Sequence, residues 1–437
     1  MVHGFRKAYA LLLFALLLIA APLASAASLR AGAAKVDISP TPDEFPYTAV
    51  GARHIAPFIG NHDAVYARAI FLDDGATQVA FVVVDVTAIP NPGKFLPEVA
   101  RGTGLPESHI FIAANHTHSV PLVNYHLDLP YQVGEASPQD LKEIDRLIKG
   151  SIDAIRLAKA ALQPARVAFG RGEAFLNINS EDPHGPSDKS LDVLRIDAAD
   201  GSPIAALVDY SVPSGVTSNN YKPEGGILVS GDLYGEAARL LEAQTPKAPI
   251  VLFASSSDGD QRLLFGGTLP AVGTVALDDS ADILYAVNSA MGRNLANVAL
   301  SAFKAAQPGD SDVKITAASK TVMCPGGRFS QDPQTHQMVV KDKPPVPIPL
   351  NLITIGNFAV AGIGGNVPAE IGLKVKSESP FAKTTLIGGT LGSVGYIMPD
   401  SSYTGFSHSL GGTPIKAGCA EKAITQGLAE MFSAAKK

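Results

Sequence analysis

Tryptophan is absent from this 437-residue chain, and cysteine occurs only twice, as Cys324 and Cys419. Two thiols are too few for a cysteine-built zinc site. In an oxidising compartment they can pair instead, closing a long loop and tying a late segment to the C-terminus. Charge is also sparse: 17% of residues are charged, the formal net charge is −6, and no basic block follows Arg6 and Lys7. That argues against nucleic acid or an anionic membrane surface as the main partner. No later stretch is apolar for long enough to span a bilayer.

The apolar stretch that does exist is N-terminal. Arg6 and Lys7 precede the Leu- and Ala-rich run Ala8 to Ala21, and Ala24-Ser-Ala26 offers small residues at a cleavage spacing. Residues 1–26 therefore read as a secretory signal peptide, with an uncleaved anchor as the alternative. Losing Arg6 and Lys7 takes the formal charge from −6 to −8. The expected mature protein, residues 27–437, is exported, periplasmic or secreted. It is long enough for one large domain or two merged ones.

Short apolar runs and helical periodicities alternate, though not strictly, which predicts an α/β protein with a mixed sheet. Strands are expected at Leu29 to Ile38, Arg68 to Leu72, Val79 to Val86, Ile110 to Ala114, Leu191 to Ile196, Ile204 to Tyr210 and Ile250 to Ala254. A hairpin is expected across Gly356-Asn357. Helices are expected at Leu141 to Ala161, Asp232 to Ala243 (with Asp232 able to cap its start), Ala281 to Ala305, Ala369 to Ser377 and from Ala420. The Pro-, Gly- and Gln-rich stretch Cys324 to Pro349 reads as a long ordered loop or lid. Polar clusters repeatedly follow short apolar strands, where α/β proteins place their sites.

The cluster with the most chemistry is His116-Thr117-His118, just after Ile110–Ala114. Histidines at i and i+2 point the same way if the backbone is extended, so both imidazoles can address one ion or substrate. Two solvated loop histidines are the plain alternative. His54 and His62 lie ahead of Asp63 and can face the same cleft or remain at the surface.

Several segments, in order across most of the chain, resemble the neutral/alkaline (non-lysosomal) ceramidase superfamily. They are Gly32-Ala-Ala-Lys-Val-Asp-Ile-Ser-Pro40, His62-Asp63 through Gly75, Val83-Val-Asp85, Asn115-His-Thr-His-Ser119, Ser230-Gly-Asp232, Asp258-Gly-Asp260-Gln261 and Ile355 through Ile363. The resemblance implies the family's mixed-sheet catalytic N-terminal domain, here without its C-terminal β-sandwich. It implies hydrolysis of an amide in an N-acylated, sphingolipid-like substrate by water activated on one zinc ion. His116 would be the metal ligand, with His118 and Asp260 catalytic.

Other carried-over positions differ. Ser214 stands at the family's second, histidine ligand, Asn366 at its glutamate and Phe406 at its tyrosine, so the expected zinc has an incomplete ligand set. His408, Glu370 or Asp232 are possible alternative ligands. Asn177-Ile-Asn-Ser180 lacks the family's arginine. Two further readings stay open: a non-catalytic relative binding a lipid or envelope component, and a metal-free hydrolase using Asp258, Asp260, His116 and His118 with a serine from Ser255–Ser257.

Overall fold

The structure is a computed structural model, describing residues 28–47, 56–123, 137–265, 281–306, 309–404 and 407–437. The expected signal peptide, His54 and Phe406 lie outside the described residues.

Eight strands form the main sheet. In chain order they are β1 (Arg30–Asp37), β3 (Tyr66–Asp73), β4 (Gln78–Val84), β5 (Ile110–Ala114), β6 (Gln163–Glu173), β8 (Ser190–Ala198), β9 (Pro203–Tyr210) and β11 (Ile250–Ser255). Their spatial order is β11-β9-β8-β6-β1-β3-β4-β5. A second sheet, β13-β14-β15-β16, is built from Ile315–Gln331, Met338–Ile355, Phe358–Ile363 and Lys383–Ile387. Two two-stranded sheets complete the set: β2 (Phe58–Asn61) with β10 (Ile227–Val229), and β7 (Asn177–Asn179) with β12 (Gln261–Leu263). The expected mixed α/β architecture is what the structure has.

Side-chain alternation sets the layers. In β3 and β4, Ile70, Leu72, Phe81 and Val83 pack with Ile353, Ile355 and Val360 of the second sheet. Their neighbours Ala69, Phe71, Val82 and Val84 face the other way, against Ile144, Leu147 and Ile155 of helix α2 (Pro138–Ala160). A Ser137/Asp140 capping box starts that helix, satisfying two amides that would otherwise lack partners. Over β8, β9 and β11 the same outer layer continues with α3 (Asp232–Gln244) and α4 (Ala281–Ala305). Beyond the second sheet lie α5 (Ala369–Glu378) and α7 (Ala420–Ala435). The result is four layers, helix–sheet–sheet–helix. Each fully buried Leu, Ile or Phe contributes roughly 1.5–3 kcal/mol relative to exposure.

The short pair β2–β10 is parallel, and within the two large sheets three pairs are parallel, β4–β5, β9–β11 and β15–β16, the others being antiparallel. Those three pairs are joined through α1 (Pro92–Thr103), α3 and α5 respectively. Parallel neighbours point their carboxyl ends the same way, and those ends build the site.

The stretch Cys324 to Pro349 is not a loop or lid. It forms most of a long hairpin, in which β13 and β14 pair from Ile315↔Ile355 out to Gln331↔Met338. Pro347 and Pro349 recur at strand period before β15 joins at Leu350, so their missing N–H groups fall on an edge with no partner to satisfy. Cys324 of this hairpin is disulfide-bonded to Cys419, at the start of α7, with Cα atoms 5.7 Å apart.

α5 is fixed to the main sheet by a buried charge cluster. Lys376 donates to Asp188 at 2.8 Å, while Arg171 forks Asp192 at 2.5 and 2.8 Å. Asp209 lies directly across from Asp192 and accepts from Thr385 at 2.5 Å. Burial and the facing Asp192 charge push the Asp209 carboxyl up to about 7, against the pull of Lys376. Between about pH 4 and 7 the folded chain then holds a proton that the unfolded chain has released. Asp209 thus makes stability fall as pH rises through that window and level off above it. Asp188 is shifted the opposite way, downward: burial acts first but is outweighed by Lys376 and Ser190. The wild-type minus Asp209→Asn difference isolates Asp209. Urea unfolding should show wild type losing up to about 3 kcal/mol relative to the variant between pH 4.5 and 7.5. A flat difference would contradict the buried neutral carboxyl.

Candidate active site

The site is assembled where the parallel strands end, as expected for α/β sheets. Thr87 follows β4, Ala114 and His116 end β5, Ser255 and Asp258 end β11, and Asn366 follows β15. Gly388, Gly389 and Ser393 follow β16. These residues line a cavity of about 10 Å³, room for about one water. Ser214, after β9, flanks it through a parallel bridge to Thr117 and a 2.9 Å bond from the His118 amide.

His116 does not present its ring from an extended strand. Its φ is +58°, the left-handed region that costs a non-glycine residue roughly 1–2 kcal/mol. This turn, rather than strand geometry, brings the His116 and His118 rings edge to face at 5.0 Å. Two buried braces over-determine it. In the first, Asp85 accepts from Arg68 at 2.6 Å, the Tyr66 amide at 2.8 Å and Asn115 at 2.7 Å, and Asn115 accepts from the Thr117 amide at 3.1 Å. Burial pushes the Asp85 carboxyl up, opposed chiefly by Arg68.

Asp232 is the second brace. It accepts from Ser119 at 2.8 Å and from the Val216 and Thr217 amides at 2.9 and 3.1 Å. Gly231 rather than Asp232 occupies the cap position of α3, yet Asp232 does accept from the first-turn Leu233 amide at 2.7 Å, and Ser214 Oγ accepts from the Tyr234 amide at 3.2 Å. The remaining Asp232 contacts hold the strand-end loop beside His118.

Among the histidine's neighbours, Asp258 decides the chemistry. Its carboxylate lies 2.6 Å from His116 Nδ1 and also accepts from Ser255. An ionised carboxylate only accepts, so Nδ1 carries the proton and Nε2 keeps the lone pair. Ser255 Oγ also lies 3.1 Å from the Val212 carbonyl oxygen. It therefore orients Asp258 from the far side and is not placed as a nucleophile activated by histidine. Gly259 makes the arrangement possible: a Cβ there would meet the Asn366 carbonyl oxygen at 2.3 Å.

Other expected residues lie elsewhere. Asp260 accepts from Asn179 at 2.9 Å, Gln261 at 2.8 Å and the first amide of α5, Ala369, at 2.9 Å. Its carboxylate thus ties α5 to β7 and does not line the cavity. Glu370 is exposed on α5, near Ser401 at 3.4 Å. His62 stacks on Tyr285 at 3.5 Å and touches Asp63 at 2.8 Å. His408 begins the short helix α6 (His408–Gly412), and its side chain is not among those described.

Zinc fits the donors present poorly. Ser214 Oγ accepts from the Tyr234 amide at 3.2 Å, and Asn366 Oδ1 accepts from Ser393 at 3.3 Å. Both groups are neutral, where a catalytic zinc draws on imidazole and carboxylate donors. Among the described residues, no cluster of three or more His, Cys, Asp or Glu side chains is placed to hold a metal ion.

Comparison with solved structures settles the architecture. The neutral ceramidase of Pseudomonas aeruginosa superposes with a TM-score of 0.70 at 18% identity, over 93% of this chain and 74% of that one. This is the neutral ceramidase fold. A ceramidase complexed with C2 gives the same TM-score at 17% identity, over 94% and 75% of the two chains. Neutral ceramidases B and A of Dictyostelium discoideum are 28% and 26% identical over 230 and 231 residues, 46% of this chain. The matches span 31% of the length of those relatives. No family model matches.

Within the ceramidase fold, the three described positions carried over for metal ligands, His116, Ser214 and Asn366, gather around one cavity. Two of the three side chains are neutral. The sequence offers Asp258 as one acid of a matched turn and as one of the acids of a metal-free hydrolase, but its direct pairing with His116 depends on a contact 142 residues away. Thr87 and Ser393 carry no signal in the sequence.

Proposed function

We propose that the chain is an exported amidohydrolase that cleaves the amide of an N-acylated, sphingolipid-like substrate at the His116 cavity. The observation that carries this reading is the 2.6 Å contact between His116 Nδ1 and Asp258, which leaves Nε2 as a base beside space for about one water. The likeness to neutral ceramidases supports the amide as the scissile bond. Export is supported by the signal-like N-terminus, and no helix among the described residues is long and apolar enough to cross a membrane.

His116 Nε2 takes a proton from the cavity water, and the resulting hydroxide forms a bond to the amide carbonyl carbon. Asp258 stabilises the imidazolium produced. The tetrahedral oxyanion lies against the wall that carries Asn366, whose side-chain N–H can donate to it while Ser393 donates to Asn366 Oδ1. Collapse breaks the C–N bond, and the imidazolium returns its proton to the departing amine. The products are a carboxylic acid and an amine, with atoms and charge balanced. His118, edge-on to His116, positions that ring.

Native purification followed by elemental analysis and an amine-release assay on N-acyl sphingoid substrates tests the reading. Turnover that resists chelators, with well under one zinc per chain, is expected. One zinc per chain that is lost in His116→Ala would overturn the metal-free route. Lipid binding without any turnover would make the protein a non-catalytic member of the fold.

A further inference from the structure

Folding assembles a basic cluster that the sequence does not show as a block. Along the β13–β14 hairpin Arg328 pairs directly opposite Lys341, and Lys343 lies two residues further along the same strand. Directly opposed residues share a face, as do residues two apart, so three cations stand together. Like charges facing across a strand pair are destabilising. Among the described residues none of the three has a carboxylate within ion-pair distance, since the nearby Asp342 is taken by Lys416 at 2.6 Å. The arrangement stands in a chain whose formal net charge is −6.

Arg328 and Lys343 line a groove of about 290 Å³, closed on its other sides by Gly395, Tyr396 and Gly411 to Pro414. The volume approaches that of small-molecule sites. The groove adjoins the active-site cavity through one short segment. Ser393 lines the cavity and Tyr396 the groove, and three residues of chain span at most about 11 Å. Asn366 of the cavity wall also bridges Tyr396 in parallel and donates its amide to the Gly395 carbonyl at 2.9 Å.

We propose that this groove binds a tetrahedral oxyanion, the phosphate- or sulfate-class head of an N-acyl amphiphile whose amide lies at His116. The guanidinium of Arg328 offers a planar pair of donors and Lys343 a point charge, the two modes by which proteins hold such groups. The hairpin tip adds exposed Met338, Val339 and Val340, apolar surface suited to the substrate's chain. The substrate assignment rests on the proposed hydrolysis, whereas the oxyanion site does not.

Calorimetric titration of the full chain with inorganic phosphate, at constant ionic strength, tests the groove itself. Binding weakened at least tenfold in the Arg328→Ala/Lys343→Ala double variant, and unchanged in His116→Ala, is expected. Equal binding by wild type and the double variant would overturn the proposal. Vesicles form a second arm. Sedimentation with phosphatidylglycerol vesicles but no response to inorganic phosphate would point to diffuse surface attraction and refute a discrete site. The third arm compares N-acyl amphiphiles with phosphate and neutral heads. The double variant should raise KM tenfold for the phosphate-headed compound alone, with kcat unchanged, and an equal rise for both would remove the substrate assignment. Phosphate binding reads out even if no compound is hydrolysed, so the two readings fail separately.

Discussion

Asp258→Asn will lower amide hydrolysis by about 10³–10⁴-fold while leaving the fold intact. The carboxylate accepts from His116 Nδ1 and from Ser255 on one oxygen. An asparagine that keeps its carbonyl at that position retains both bonds but carries no charge, so the imidazolium formed when Nε2 takes the proton loses its counter-charge. Turned the other way, its amide faces both Nδ1 and Ser255 as a donor, and the imidazole must then carry its proton on Nε2, where it cannot take one from water. Because the volume is unchanged and at least one hydrogen bond survives, unfolding free energy should shift by only about 1 kcal/mol.

His116→Ala should lose a similar factor, and the double variant little more, because residues acting as a unit are not additive. Ser255→Ala removes only the outer support of Asp258, and a loss of about tenfold is expected. Nitrogen-15 spectra of the His116 ring check the tautomer directly. A wild-type ring protonated on Nε2, or an Asp258→Asn enzyme with near-normal rate, would contradict the dyad.

Much of the framework could be read without coordinates because its signals are local. Ile110–Ala114 is a fully buried apolar run closed by polar residues, and it is a strand over those same residues. Ala281–Ala305 has helical periodicity and no internal Pro, and is a helix over that span. What failed was decided by partners distant in sequence. The proline-rich hairpin looks like a loop until the unpaired edge of β14 is known. His116 looks extended until the Thr117–Ser214 bridge and Asn115 turn it left-handed. Asp260 and Asp258, two residues apart, look equivalent. One is used up on the α5 amide and the other meets a histidine, a division made by Gly259 letting the turn press against Asn366. The motifs mark where chain ends meet, and the donors at those ends depend on single residues that the fold does not dictate.

Removing Arg68 should be the most damaging single change to stability near the site. Asp85 is 2% exposed and Arg68 4%, so Arg68→Met leaves a carboxylate in the core with only the Tyr66 amide and Asn115 as donors. Breaking a buried pair from one side costs about 3–5 kcal/mol, because the remaining charge is uncompensated. The penalty has a pH signature. Burial already pushes the Asp85 carboxyl up, with Arg68 the main opposing influence, so losing the guanidinium raises it further. The folded variant then binds a proton that its unfolded chain lacks, and its deficit against wild type should grow as pH rises from 5 to 8.

Adding Asp85→Asn to Arg68→Met removes the charge and keeps an acceptor for the Tyr66 amide, so about half the lost stability and most of the pH dependence should return. Urea unfolding of wild type and both variants at pH 5 and pH 8 measures this. A deficit that is the same at both pH values, or a double variant less stable than Arg68→Met, would mean that packing rather than charge sets the cost. The same brace holds Asn115, which fixes the Thr117 amide and with it the left-handed turn at His116. The double variant should therefore recover stability sooner than activity, since a turn that costs roughly 1–2 kcal/mol relaxes as soon as its supports loosen.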